Sequence, residues 1–242
     1  MMTDRILRLL FPPRCTACQS RLDWYTCERS TVLCRGCQAK LESERLLTCD
    51  RCAKRIDQCR CMPPLLSRAG CRGLIKLVSY YPNRGDYVQN RLLYTVKRYR
   101  APRVHQFLAE QLFPMLEQHL KTCEGRVVLT YLPRNRRSLR MNGTDQARML
   151  AMALSKKSGI PMKTLLVRTR GGNRAQKKLS RRERIRNADA LFALAGKMSL
   201  KGVTVILVDD LVTTGSSMAA AIRILRQTGA KEFFGVSVAV DA

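Results

Sequence analysis

The apolar residues of this chain change period along its length, and each change predicts an element. Leu74-Ile-Lys-Leu-Val-Ser-Tyr80 is a short, nearly continuous apolar run, which predicts a buried strand. Pro82-Asn-Arg-Gly85 then reads as a turn. Over residues 87–98, Val88, Leu92, Leu93 and Val96 recur at helical spacing. Residues 104–118 predict a second helix, kinked or ended by Pro114. Strand-like runs follow at 126–132, 164–168 and 191–194, with a helix at 145–157 closed by Ser158-Gly159. Val203-Thr-Val-Ile-Leu-Val208 is a buried strand, Met218 to Arg226 a helix stopped by Gly229, and residues 233–240 a last strand. Strands alternating with helices predict an α/β fold with a mainly parallel sheet. Ligands of such sheets sit outside the carboxyl ends of the strands.

Before residue 70 the pattern is different. Long periodic runs are absent and cysteines crowd together. Cys15-Thr-Ala-Cys18 and Cys34-Arg-Gly-Cys37 are separated by fifteen residues, the spacing of a two-knuckle zinc ribbon. Each Cys-x-x-Cys turn places two thiolates on one ion, and two turns complete a tetrahedron. Cys49-Asp-Arg-Cys52 and Cys59-Arg-Cys61 form a second candidate quartet, and a cross-braced pairing of the four turns is open. Cys27, Cys71 and Cys123 are left over. A module this small has too little core to stand without metal, so the zinc is expected to be structural. Pro63-Pro64 marks a break. The expected division is a zinc-ribbon-like module over 1–70 and an α/β domain over 71–242.

Composition adds one constraint. The 242 residues carry 45 Lys and Arg against 18 Asp and Glu, a net charge of +27, which attracts polyanions at long range. Residues 168–186 alone hold nine Lys or Arg and one acid, Glu183; Gln176, Lys177 and Lys178 lie in this stretch as candidates for a basic loop closing over an anion. Aromatic residues make up only 6% of the chain, too few for a dedicated base-stacking platform. No apolar run reaches the ~18 residues of a membrane span. Ile6-Leu-Arg-Leu-Leu-Phe11 is too short for a signal-peptide core and contains Arg8. The expectation is a soluble, cytoplasmic protein. His105 and His119 have no acidic or cysteine company in the sequence and read as ordinary surface or partly buried histidines. A Walker loop, a Gly-x-Gly-x-x-Gly turn and the His-x-Glu half of a zinc deaminase are all missing.

The candidate chemistry lies after the 203–208 strand. Asp209 and Asp210 stand at its end, and Thr213-Thr-Gly-Ser-Ser217 leads into the next helix. Unpaired N–H groups and the dipole at a helix start favour an anion. The hydroxyls of Thr213, Thr214, Ser216 and Ser217 add donors, and Gly215 lets the backbone come close. Two carboxylates suit the paired hydroxyls of a ribose. After strand 126–132, the loop Pro133-Arg134-Asn135-Arg136-Arg137 starts at another carboxyl end, where arginine forks suit a pyrophosphate.

The stretch from Asp209 to Ser217 resembles the 5-phosphoribosyl-1-pyrophosphate (PRPP) motif of type I phosphoribosyltransferases. The chain as a whole resembles the ComF family of competence proteins, which joins a cysteine zinc module to such a domain. That likeness rests on Leu10-Phe-Pro-Pro-Arg-Cys15-Thr-Ala-Cys18, on the Cys34/Cys37 and Cys49/Cys52 pairs, and on Pro133-Arg134 with Arg137 leading to Gln146-Ala147. It continues through Gln176, Leu179-Ser180-Arg181, Glu183-Arg184 and Asn187, and through residues 208–217. Gly143-Thr-Asp-Gln146 departs from the family's usual Gly-Phe-Asn-Gln. The resemblance implies PRPP held by Asp209, Asp210, the 213–217 loop and Pro133, Arg134 and Asn135, with Mg²⁺ accompanying the pyrophosphate. The two acids would steady the ribose as it becomes cation-like. It further implies a glycosyltransferase with an unknown acceptor, single-stranded DNA as a ligand, a role in the uptake or use of external DNA, and a competence helicase or transport machinery as partner. Two other readings stand beside it: a nucleic-acid-binding competence factor without phosphoribosyl transfer, and a PRPP-responsive regulator.

Overall fold

The computed structural model describes residues 12–22, 31–98, 101–135, 139–141, 143–169 and 191–241. Gln176, Lys177 and Lys178, with Arg136, Arg137 and Cys27, lie outside the described residues.

The described residues form a four-stranded sheet in the order β1-β6-β5-β2, from β1 (Cys71–Tyr80), β6 (Glu232–Asp241), β5 (Val203–Val212) and β2 (Arg126–Tyr131). Every neighbouring pair is parallel. This is the parallel α/β sheet that the alternation of elements requires. Strands covered on both faces are apolar throughout rather than alternating, which is why Val203 to Val208 are all buried. The short runs at 164–168 and 191–194 shrink to β3 (Leu166–Arg168) and β4 (Phe192–Leu194), which pair antiparallel in a separate two-stranded sheet.

The helices that accompany the strands include α1 (Arg35–Leu46), α2 (Pro64–Arg68), α3 (Val88–Arg98), α4 (Pro102–Leu120), α5 (Gln146–Ser158) and α6 (Ser216–Arg226). Pro114 does not end α4, which continues to Leu120. Gly159, at φ 74°, closes α5 in the left-handed conformation that a residue without Cβ adopts freely. His105 is more enclosed than its sequence context implies, at 1% exposure. Its Nδ1 lies 2.8 Å from the Ala101 carbonyl oxygen at the start of α4, so the ring finds a partner within its own helix.

Two apolar clusters fill the two faces of the sheet. One joins Leu129, Ile206 and Val236 of the sheet to α3, α4 and α5 and reaches Cys15, Cys37 and Leu41 of the cysteine-rich segment. The other joins Val205 and Leu207 to α6, β4 and Leu66 of α2. Residues before and after position 70 therefore share buried clusters. No helix among the described residues is long and apolar enough to cross a membrane.

Candidate functional site

β5 runs four residues beyond Val208, because β6 continues to pair with it as far as Val212 and Val240. Asp209 and Asp210 consequently lie inside the strand rather than just after it. β2 stops sooner. Its last register pair with β5 is Tyr131 with Val208, and the Leu132 N–H donates to the Val208 carbonyl at 3.1 Å. There the chain turns into Pro133, Arg134 and Asn135, all partly buried. Arg134 crosses back to β5, where its Nη2 donates to Asp210 Oδ2 at 2.7 Å. The Arg134 backbone N–H donates to Asp145 Oδ2 at 3.0 Å. The other oxygen of Asp145 caps α5, accepting from the Arg148 N–H at 3.2 Å. One carboxylate thus joins the arginine loop to a helix start.

The three acids are crowded. Burial, followed by the adjacent Asp210 charge, pushes Asp209 well above the ordinary carboxylate range. Burial also raises Asp145, against the two N–H groups it accepts. Asp209 in turn bears on Arg168 of β3, whose guanidinium burial holds below its usual range and which rests over the Phe192 ring at 5.3 Å. Such a cluster can exchange internal partners for a polyhydroxylated anion: Arg134 has a phosphate to gain, and the acids have hydroxyl donors to gain.

The 213–217 loop opens elsewhere. Thr213, Thr214, Ser216 and Ser217 line a cavity of about 1750 Å³, with Arg168 and Arg223 on the same walls. The Thr214 hydroxyl donates to Ser216 Oγ at 3.1 Å, and the Ser216 N–H reaches Thr214 Oγ1 at 3.4 Å. Gly215 caps α6 at φ 74°. A Cβ there would sit 2.7 Å from Leu66 Cγ and 3.3 Å from Pro63 Cβ, so the loop lies hard against α2. Asp209 and Asp210 are not among the described residues lining this cavity. The structure gathers the hydroxyls into one cavity and the acids with Arg134 into a polar cluster three residues upstream. Arg168 belongs to the first and feels the charge of the second.

The far wall of the cavity comes from the cysteine-rich segment, including Cys49, Cys61 and Met62. The eight cysteines of the two quartets fall into two groups, Cys15, Cys18, Cys34, Cys37 and Cys49, Cys52, Cys59, Cys61, with the sulfurs of each group within 4.8 Å of one another. The alternative cross-braced pairing is not the one found. Tetrahedral zinc with Zn–S bonds of about 2.3 Å needs sulfurs about 3.8 Å apart. The Cys18–Cys34 and Cys52–Cys59 sulfur distances are both 3.6 Å. The donor sets fit a metal ion, with zinc the natural occupant of four thiolates. Burial pushes the Cys37 thiol up and brings Cys61 to about 12, while the Ser20 hydroxyl, 3.0 Å away, draws Cys18 down to about 6. Four thiolates this close need a cation among them.

Sequence reasoning missed four participants. Asp145 is one; its position after Gly143-Thr144 and ahead of a helical run was the available signal. Pro63 and Leu66, which bear on Gly215, gave none. Lys76 is the fourth: a lone charge inside an apolar strand run, it is 4% exposed.

A family model described as phosphoribosyl transferase domain matches residues 144–241. The matched residues take in α5 and strands β5 and β6 of the parallel sheet, and they follow two cysteine tetrads able to hold metal. The resemblance to the ComF family is borne out by Competence protein F of Haemophilus influenzae, 30% identical over 149 residues, or 61% of this chain. The match spans 57% of that relative's length. Among solved structures, a hypoxanthine phosphoribosyltransferase from Staphylococcus aureus is 12% identical, covering 55% of this chain and 61% of its own, with a TM-score of 0.35. A purine phosphoribosyltransferase from Pyrococcus horikoshii is 18% identical, covering 55% and 83%, with a TM-score of 0.34.

Proposed function

We propose that this protein binds PRPP and acts as a phosphoribosyltransferase-like member of the DNA-uptake apparatus, in the uptake or use of external single-stranded DNA. The observation that carries the reading is the segment from β5 to α6: two acids on the strand, then four hydroxyl side chains that open on a large cavity at a helix start. The loop would take the 5′ phosphate on its hydroxyls and on the N–H groups opening α6. Asp209 and Asp210 would accept the ribose hydroxyls, and Arg134 would leave Asp210 for the pyrophosphate. Pro133 and Asn135 shape that loop. Mg²⁺ bound with PRPP would supply charge to offset the departing pyrophosphate. The protein's own contribution is positioning, and stabilisation by Asp209 and Asp210 of positive charge as it grows on the ribose. Lys177 and Lys178, with Gln176, are candidates to close over the ligand.

Incubation with PRPP, Mg²⁺ and a panel of nucleobases tests transfer. Release of pyrophosphate with one base is the expected result; absence of turnover with all of them removes the enzymatic half of the reading. The net charge of +27 favours a second reading, a nucleic-acid-binding competence factor in which PRPP is a ligand or signal and no transfer occurs.

A further inference from the structure

Lys76 lies in the middle of β1, between Ile75 and Leu77, which are 1% and 0% exposed. An ammonium buried in such surroundings is costly unless an anion compensates it. No carboxylate stands within ion-pair distance of it among the described residues. Its Nζ instead donates to Cys59 Sγ at 3.1 Å and to the Cys61 carbonyl oxygen at 2.8 Å. Cys59 is fully buried, and both cysteines belong to the second tetrad. A divalent ion held by four thiolates carries a net charge of about −2. The first tetrad is served differently, by the neutral hydroxyl of Ser20 on Cys18.

We propose that Lys76 is a positioning residue of the second cysteine centre, a charge partner that the α/β sheet contributes to a metal site made by the preceding segment. Its N–H to sulfur bond orients Cys59, offsets the negative charge of the loaded tetrad and fastens that tetrad to β1. The two metal sites then differ: among the described residues, the second takes a cation from the sheet, and the first a neutral hydroxyl from its own loop. The inference does not depend on PRPP binding, and its test does not use activity.

The test is release of zinc from the intact, zinc-loaded protein to a chromogenic chelator, followed as two kinetic phases. Lys76→Met keeps an unbranched side chain, one atom shorter, and removes the charge and the donor. Partners behind metal ligands typically account for 10–100-fold in affinity. Lys76→Met should therefore release one of its two zinc ions at least tenfold faster than wild type, with the other phase unchanged. Lys76→Arg, which keeps charge and donors, should return that phase most of the way. If Lys76→Met does not fold, Lys76→Gln carries the test with the same expectation, since it is shorter than lysine and removes the cation while keeping a polar group in the strand. Wild-type rates for both ions in the neutral variant overturn the proposal. So does equal acceleration of both, which would mean general loosening.

Discussion

At the scale of single residues, the strongest constraint is Asp209. Burial and the neighbouring Asp210 raise its folded pKa above the ordinary value it has in the unfolded chain. Between those two values the native state binds the extra proton, so stability falls as pH rises through that window. The favourable contribution is whole below the ordinary carboxylate range and lost above the raised value. Asp209→Asn, neutral throughout, should match wild type in urea unfolding at acid pH and exceed it at neutral pH. Gly215 is the second sensitive position. An alanine at its φ of 74° costs about 1–2 kcal/mol from the backbone alone and also meets Leu66. Gly215→Ala should lower the urea midpoint, and its cost should be smaller when measured in a Leu66→Ala background than in wild type, whatever Leu66→Ala itself costs.

At the scale of elements, Asp145 is the joint between the arginine loop and α5. It uses both oxygens, one for each N–H. Asp145→Ala removes a helix cap and a loop acceptor together, and should lower stability by about 1–2 kcal/mol in thermal unfolding. Asp145→Asn keeps one acceptor oxygen and should fall between. Most elements were legible because buried parallel strands are continuous apolar runs and α3 keeps its period. The length of β5 was not legible. Its extension through Asp209 and Asp210 depends on pairing with β6, a tertiary contact that overrides the low strand preference of aspartate. The antiparallel partnership of β3 and β4 was equally invisible, since a three-residue strand carries no information about its neighbour.

At the scale of the whole molecule, the cysteine-rich segment is packed into the α/β core. Cys15 and Cys59 are fully buried, and the far wall of the hydroxyl-lined cavity includes Cys49 and Cys61. Stripping metal with a strong chelator should therefore lower the melting temperature of the entire chain in one transition; a low-temperature step belonging to the module alone would contradict that packing. The cysteine spacing pointed to metal sites, because ligand geometry is local, and left the pairing of the turns to the tertiary structure. The placement of the second tetrad on the cavity that the 213–217 loop lines was hidden, because it runs through Pro63 and α2. The charge of +27 is also a whole-molecule property. If about five phosphates of a single strand are contacted, log affinity should fall with log salt at a slope of roughly −3.5. A salt-independent interaction would remove the nucleic-acid reading.

The functional reading rests on Asp209, Asp210 and the 213–217 loop gripping a phosphorylated pentose. Calorimetric titration of PRPP with Mg²⁺ into wild type and into Asp209→Ala with Asp210→Ala measures it directly, with single-stranded DNA titrated in parallel. The account predicts saturable PRPP binding that the double substitution abolishes while DNA binding is spared. PRPP binding of equal strength in both proteins, or none in the wild type, would contradict it.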